Sequence, residues 1–156
     1  MFLWKKESNI YILRVIEYQF RGLPHFHMVI QLEGCEDGLD FMDKHITSNI
    51  SDLEVEDPVR IYIEKSMIHK CSASVNGCLN ADGICRRGYQ NHEVRLANSI
   101  DDKGYPVYKR LAEEDMNVVP TNAELINAWQ RHINVEYCGS TYTILYLSLQ
   151  ISVQRL

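Results

Sequence analysis

Two apolar-rich runs, "IYILRVIEYQF" (10–20) and "HFHMVIQL" (25–32), are dense in β-branched and aromatic residues. They are parted by "RGLP", a pattern that predicts two strands joined as a hairpin. Downstream, "GLDFMDKHITSNIS" and "DPVRIYIEKSMIHK" space their apolar residues near helical period. Asp57 followed by Pro58 supplies an N-cap and a first-turn residue, so both segments predict helices. From Cys71 to about Pro106 periodicity disappears among Gly, Asn, Asp, Ser and charged residues. An unstructured stretch of that length is uncommon inside a compact domain, which points to an ordering agent such as a metal. "NVVP" then predicts a short strand, "TNAELINAWQRH" a helix capped by Thr121 or Asn122, and "INVEYC" a strand. The tail "GSTYTILYLSLQISVQRL" fits a strand by its β-branched content and a helix by its apolar spacing.

Alternation along the second strand puts His25, His27, Val29 and Gln31 on one face and Phe26, Met28, Ile30 and Leu32 on the other. The apolar face is suited to pack on a core. The two imidazoles then stand side by side on the opposite surface, about 7 Å apart at the backbone. If Gln19 pairs with His25 across the five-residue loop "FRGLP", Glu17 lies opposite His27, and a one-residue slip would send it to the wrong face. Two neutral imidazoles and a carboxylate leave open positions on a divalent ion. Such a set suits Mg²⁺ or Mn²⁺ with a phosphate oxygen as a further ligand, and equally the facial triad of a non-haem iron enzyme. A pair of surface histidines without a metal is the plainer alternative.

Composition bounds these readings. With 156 residues, 46% apolar and 24% charged, the chain fits one globular domain spanning 1–156. A formal charge of -5 argues against non-specific coating of nucleic acid, which needs a broad basic surface, but leaves room for a local basic groove. "MFLWKKESN" lacks the apolar core and small-residue cleavage site of a signal peptide, and no run of eighteen apolar residues occurs, so an intracellular protein with no membrane partner is expected. Five cysteines without a secretory signal favour reduced thiols or a metal site over a disulfide framework.

His69, Cys71, Cys78 and Cys85 form H-x-C-x6-C-x6-C, four N/S donors able to close a tetrahedral Zn²⁺ site and order the long segment, although no tight C-x2-C knuckle is present. Three sulfurs more than about 5 Å apart would exclude a shared ion. Arg21, Lys70, Arg86, Arg87, Lys109 and Arg110 are candidates to track a DNA backbone, with Tyr89, Tyr105 and Tyr108 as stacking faces. His45, His92 and His132 read as structural or surface residues.

"EYQFRGLPHFHMVIQL" resembles the HUH endonuclease motif of rolling-circle replication initiators, and "RGLPHFH" is similar to the Helitron transposase family in particular. "SMIHKCSASVNGCLNADGICRRGY", "GYPVYKR" and "NVVPTNAELINAWQRHINVEYC" look like successive blocks of the Helitron helicase-like N-terminal domain, in the family's order, over roughly residues 10–140. The resemblance implies an α+β, ferredoxin-like HUH core: a central antiparallel sheet flanked by helices, with His25 and His27 on a middle strand and a long irregular Cys-containing insertion. It implies metal-dependent nicking and joining of single-stranded DNA, in which a tyrosine forms a 5′-phosphotyrosine and frees a 3′-hydroxyl. Glu17 matches the third metal ligand of related initiators, with Gln19 as the fallback. The first nucleophilic tyrosine of the family aligns with Tyr146 and the second with Gln150, while Tyr142 and Tyr146 make an i, i+4 pair. The lysines and glycine that follow in the family are missing after residue 140. A truncated copy is therefore expected, lacking the parent element's helicase domain, with nuclear localisation following from the activity. A non-catalytic remnant that binds single-stranded DNA or a protein is the alternative, and the family also keeps cysteines in the Cys71–Cys85 block.

Overall fold

The computed structural model describes residues 5–7, 10–18, 24–32, 38–73, 77–91 and 93–139. The chain divides into two units, Gly38–Tyr137 and the sequence flanking it. Both α and β structure are present, with three helices and two antiparallel sheets among the described residues.

In the flanking unit, strands β1 (Lys5–Glu7), β2 (Ile10–Tyr18) and β3 (Pro24–Leu32) form an antiparallel sheet in the order β1-β2-β3. The expected hairpin is β2–β3, and its register pairs Tyr18 with Pro24, Glu17 with His25, Val15 with His27 and Ile12 with Ile30. Glu17 therefore stands opposite His25, two residues away from the pairing with His27 expected from a five-residue loop at 20–24. Because strand side chains repeat every two residues, a shift of two preserves the face. Among the described residues β3 is an outer strand, whereas the resemblance put it in the middle of a sheet. Phe26, Met28 and Ile30 are exposed rather than packed on a core. The described residues of this unit form a single layer, so they offer no second layer to bury that face.

The second unit, Gly38–Tyr137, is organised by local signals that fold short elements onto one core. Helix α1 (Gly38–His45) occupies the first part of the expected helix and stops before Ile46. Gly38 lies against Tyr137: a Cβ there would sit 2.5 Å from the ring's Cζ. Helix α2 (Pro58–Ser66) starts as expected, with the Asp57 carboxylate accepting from Val59 N at 2.7 Å and Pro58 in the first turn. Helix α3 (Ala123–Trp129) is capped by Asn122, whose Oδ1 accepts from Leu125 N at 2.8 Å. Val59 and Ile63 of α2, Ile126 of α3, and Ile50, Met67, Val118 and Val119 from the connections form the buried core. One-sided helices acquire stability by burying such a stripe.

The expected strands after residue 115 are not strands. Val118 makes an isolated bridge with Ile68, and Thr121 another with Thr47. Residues 133–138 run without a ladder; Ile133 O accepts from Thr121 Oγ1, and Val135 N donates to Pro120 O. Among its described residues, the long segment after Cys71 contains a two-residue pairing, β4 (Ser99–Ile100) with β5 (Pro106–Val107), a 3-10 turn at Tyr89–Asn91, and isolated bridges Leu79–Cys85 and Arg95–Arg110.

A buried polar knot stands in for regular structure here. Asp115, fully buried, accepts with Oδ1 from Ile50 N and Ser51 N, and with Oδ2 from Ser51 Oγ, Leu111 N and Ala112 N. Burial alone would raise its pKa, but these bonds outweigh it and hold the carboxyl below its ordinary value. Arg110 beside it donates to the carbonyls of Ser48, Asp115 and Val118. Backbone groups that no helix or sheet satisfies are thus paired with buried charge.

Candidate metal centre

Four side chains from three local structures meet at one point. His69 follows α2 and the Ile68–Val118 bridge, and its amide is fixed by donation to Asn117 O at 2.7 Å. Cys71 lies two residues on, in extended chain. Cys78 and Cys85 stand on opposite arms of a tight turn: Leu79 bridges Cys85, Arg86 N donates to Cys78 O at 2.8 Å, and Asn80 Oδ1 accepts from Asp82 N and Ile84 N. Gly83 closes that turn at φ +76, a conformation that strains any residue with a Cβ.

His69 Nε2 lies 3.4 Å from Cys71 Sγ, 3.3 Å from Cys78 Sγ and 3.4 Å from Cys85 Sγ. All four donor atoms are within 4.8 Å of one another. A tetrahedral zinc ion with Zn–N of about 2.1 Å and Zn–S of about 2.3 Å requires N···S of about 3.6 Å and S···S of about 3.8 Å. The group is therefore sized to hold a metal ion, is compatible with Zn²⁺, and falls inside the separation limit set from the sequence. None of the three cysteines is disulfide-bonded, and they grade from exposed Cys71 through half-buried Cys78 to buried Cys85.

The electrostatics favour a cation. Desolvation, with Arg87 adding to it, lowers the pKa of His69 and favours the neutral imidazole that can ligate. Desolvation first, then hydrogen bonding with the facing Cys85 and Cys78 thiols, and last repulsion from those groups when ionised push Cys71 up to about 11. For Cys85, burial raises the pKa, but the amides of Arg87 and Tyr89 and the adjacent thiols overcome it and bring it below its ordinary value. A bound cation would remove the repulsion and accept three thiolates.

Sequence reading missed the amide cradle around Cys85. In "CRRGY" the turn closes through Gly88 N donating to Cys85 O at 3.0 Å, with Gly88 at φ +75, which brings the amides of residues 87 and 89 onto the sulfur. A glycine three residues after a cysteine was the available signal. Tyr89, read as a base-stacking face, instead stacks on the His69 ring, with centroids 4.0 Å apart and planes 13° from parallel.

The other described sequence-derived residues are not ligands of this cluster. His25 and His27 are adjacent on β3, with ring centroids 4.8 Å apart, and Glu17 occupies the backbone position opposite His25. Tyr142, Tyr146, Arg21 and the fallback ligand Gln19 lie outside the described residues. Lys70, Arg86 and Arg87 are exposed, while Lys109 is half-buried. Arg110 must be removed from the backbone-tracking set: it is 4% exposed and directs its guanidinium at three carbonyls of its own chain, so it has no face for a phosphate. Tyr108 is half-buried, its hydroxyl accepting from Tyr137 N at 2.9 Å, while Tyr105 is exposed. Among the described residues, no helix is long and apolar enough to cross a membrane. Comparison of the chain with family models, curated proteins and solved structures found no match.

Proposed function

We propose that this chain is a Helitron-type HUH domain, which nicks and joins single-stranded DNA with a divalent cation at the β2–β3 hairpin. The observation that carries this reading is the hairpin itself: two imidazoles side by side, and a carboxylate residue in register with the first. An ion about 2.1 Å from one nitrogen of each ring, with its two bonds at right angles, sets the ring centroids about 4.6 Å apart. Centroids 4.8 Å apart leave the two imidazoles near enough for one ion to reach both. His25, His27 and Glu17 would hold Mg²⁺ or Mn²⁺, which supplies Lewis-acid polarisation of a phosphate oxygen. Tyr146 or Tyr142 would attack phosphorus, forming the phosphotyrosine bond as the 3′-hydroxyl leaves. Exposed Lys70, Arg86 and Arg87 are suited to hold the DNA backbone.

The test is a covalent adduct on a denaturing gel after incubation with single-stranded oligonucleotides and Mn²⁺. An adduct that disappears in His25→Ala, in His27→Ala and in one of Tyr146→Phe or Tyr142→Phe supports the reading. No adduct across a random-sequence library leaves only a non-catalytic remnant.

The second unit is proposed to bind Zn²⁺ structurally through His69, Cys71, Cys78 and Cys85, because one imidazole nitrogen faces three sulfurs at nearly equal distance. Four protein ligands leave no open position for substrate. Its role would be to order the segment after Cys71, and one equivalent of zinc in the purified protein checks this.

A further inference from the structure

The ring of Tyr89 lies flat on that of His69, with centroids 4.0 Å apart and planes 13° from parallel, while its other contacts reach the hydrophobic core. The Tyr89 amide donates to Cys85 Sγ. A free imidazole rotates about two side-chain bonds, and only a narrow range of angles aims Nε2 at all three sulfurs. We infer that Tyr89 is a positioning residue for the metal: its ring clamps the His69 imidazole, and its amide the Cys85 sulfur, in ligating geometry, tying metal affinity to the core. Groups that orient a ligand in this way typically change metal affinity by about 10–100-fold when removed.

The inference rests on the zinc reading, and the experiment separates the two. Co²⁺ is titrated into the full chain, followed by its d–d and thiolate charge-transfer bands, and then displaced by Zn²⁺ to obtain affinities. If the unsubstituted chain shows no tetrahedral Co²⁺ spectrum, the zinc reading fails and the inference with it. Given that spectrum, Tyr89→Leu is expected to weaken binding about tenfold or more, and Tyr89→Phe, which keeps the ring, to bind like the parent. The decisive arm places Tyr89→Leu in a His69→Cys background, where a fourth thiolate replaces the imidazole and no ring needs clamping. There the Tyr89→Leu effect should shrink to less than about threefold. An equal loss in both backgrounds, or none in either, would overturn the inference. Should the Leu variant fail to fold, NMR of the zinc-loaded parent decides: stacking shifts the His69 ring protons upfield, and ordinary shifts would refute the clamp.

Discussion

Replacing Asp115 with alanine should come close to unfolding the second unit. Its carboxylate accepts four backbone N–H bonds, from Ile50, Ser51, Leu111 and Ala112, and one from the Ser51 hydroxyl, at a site with no exposure. If each stranded amide costs about 1 kcal/mol, the loss is about 4 kcal/mol, against a total stability of about 5–15 kcal/mol for a domain. Asp115→Asn should recover only part of this, at about 2–3 kcal/mol, because its amide nitrogen must face two N–H groups wherever its oxygen is placed. The pKa of Asp115 is held below its unfolded value of about 4, so its contribution is fully present above pH 4 and lost as pH falls through the lower, folded value. Urea titration at pH 7 should show the midpoint falling at constant slope, and the gap between parent and Asp115→Asn should narrow below about pH 4. The knot also anchors Val118, which bridges Ile68 beside His69, so metal affinity should fall with stability. A loss under about 1 kcal/mol for Asp115→Ala would show that these amides do not depend on the carboxylate.

Removing zinc with a strong chelator should leave α2 and α3 folded but strip amide-exchange protection from residues 77–91; unchanged protection there would contradict a structural ion. Gly38→Ala should cost about 1–3 kcal/mol, since the added methyl meets the Tyr137 ring at 2.5 Å, and a neutral effect in thermal melts would show that the ring moves freely. If the chain holds single-stranded DNA as proposed, the double variant Arg86→Gln with Arg87→Gln should flatten the salt dependence of that binding by about 0.7 per lost phosphate contact, whereas an unchanged slope would show that neither residue meets the phosphates.

What was legible in the sequence was local. The starts of α2 and α3 follow from Asp57–Pro58 and Asn122, because a cap and its helix are read within four residues. The β2–β3 hairpin was visible for a similar reason, but its register was misjudged by two, since the Gly22 and Pro24 signals within the expected loop at 20–24 do not by themselves fix where pairing ends. Face survived that error because side chains alternate, so Glu17 still shares a face with the histidine positions. The four donors of the candidate metal centre could be picked out by residue type, while the geometry joining them depends on the Asn80 and Gly88 turns. Long-range roles were not legible: nothing adjacent to Arg110 or Asp115 distinguishes a buried knot from surface charge, and Tyr89 could not be assigned to His69 from twenty residues away. The extended run after Ile133 satisfies its backbone at Pro120 and Thr121, where a strand pattern suggested a ladder.

The hairpin cation site can be tested most directly by titrating the zinc-loaded protein with Mn²⁺ and following histidine side-chain resonances by NMR. His25 and His27 should broaden first and together at substoichiometric Mn²⁺, and Glu17→Ala should weaken this without changing the spectrum of His69. Broadening that spares both rings, or that survives Glu17→Ala and His27→Ala undiminished, would contradict a cation site at the hairpin.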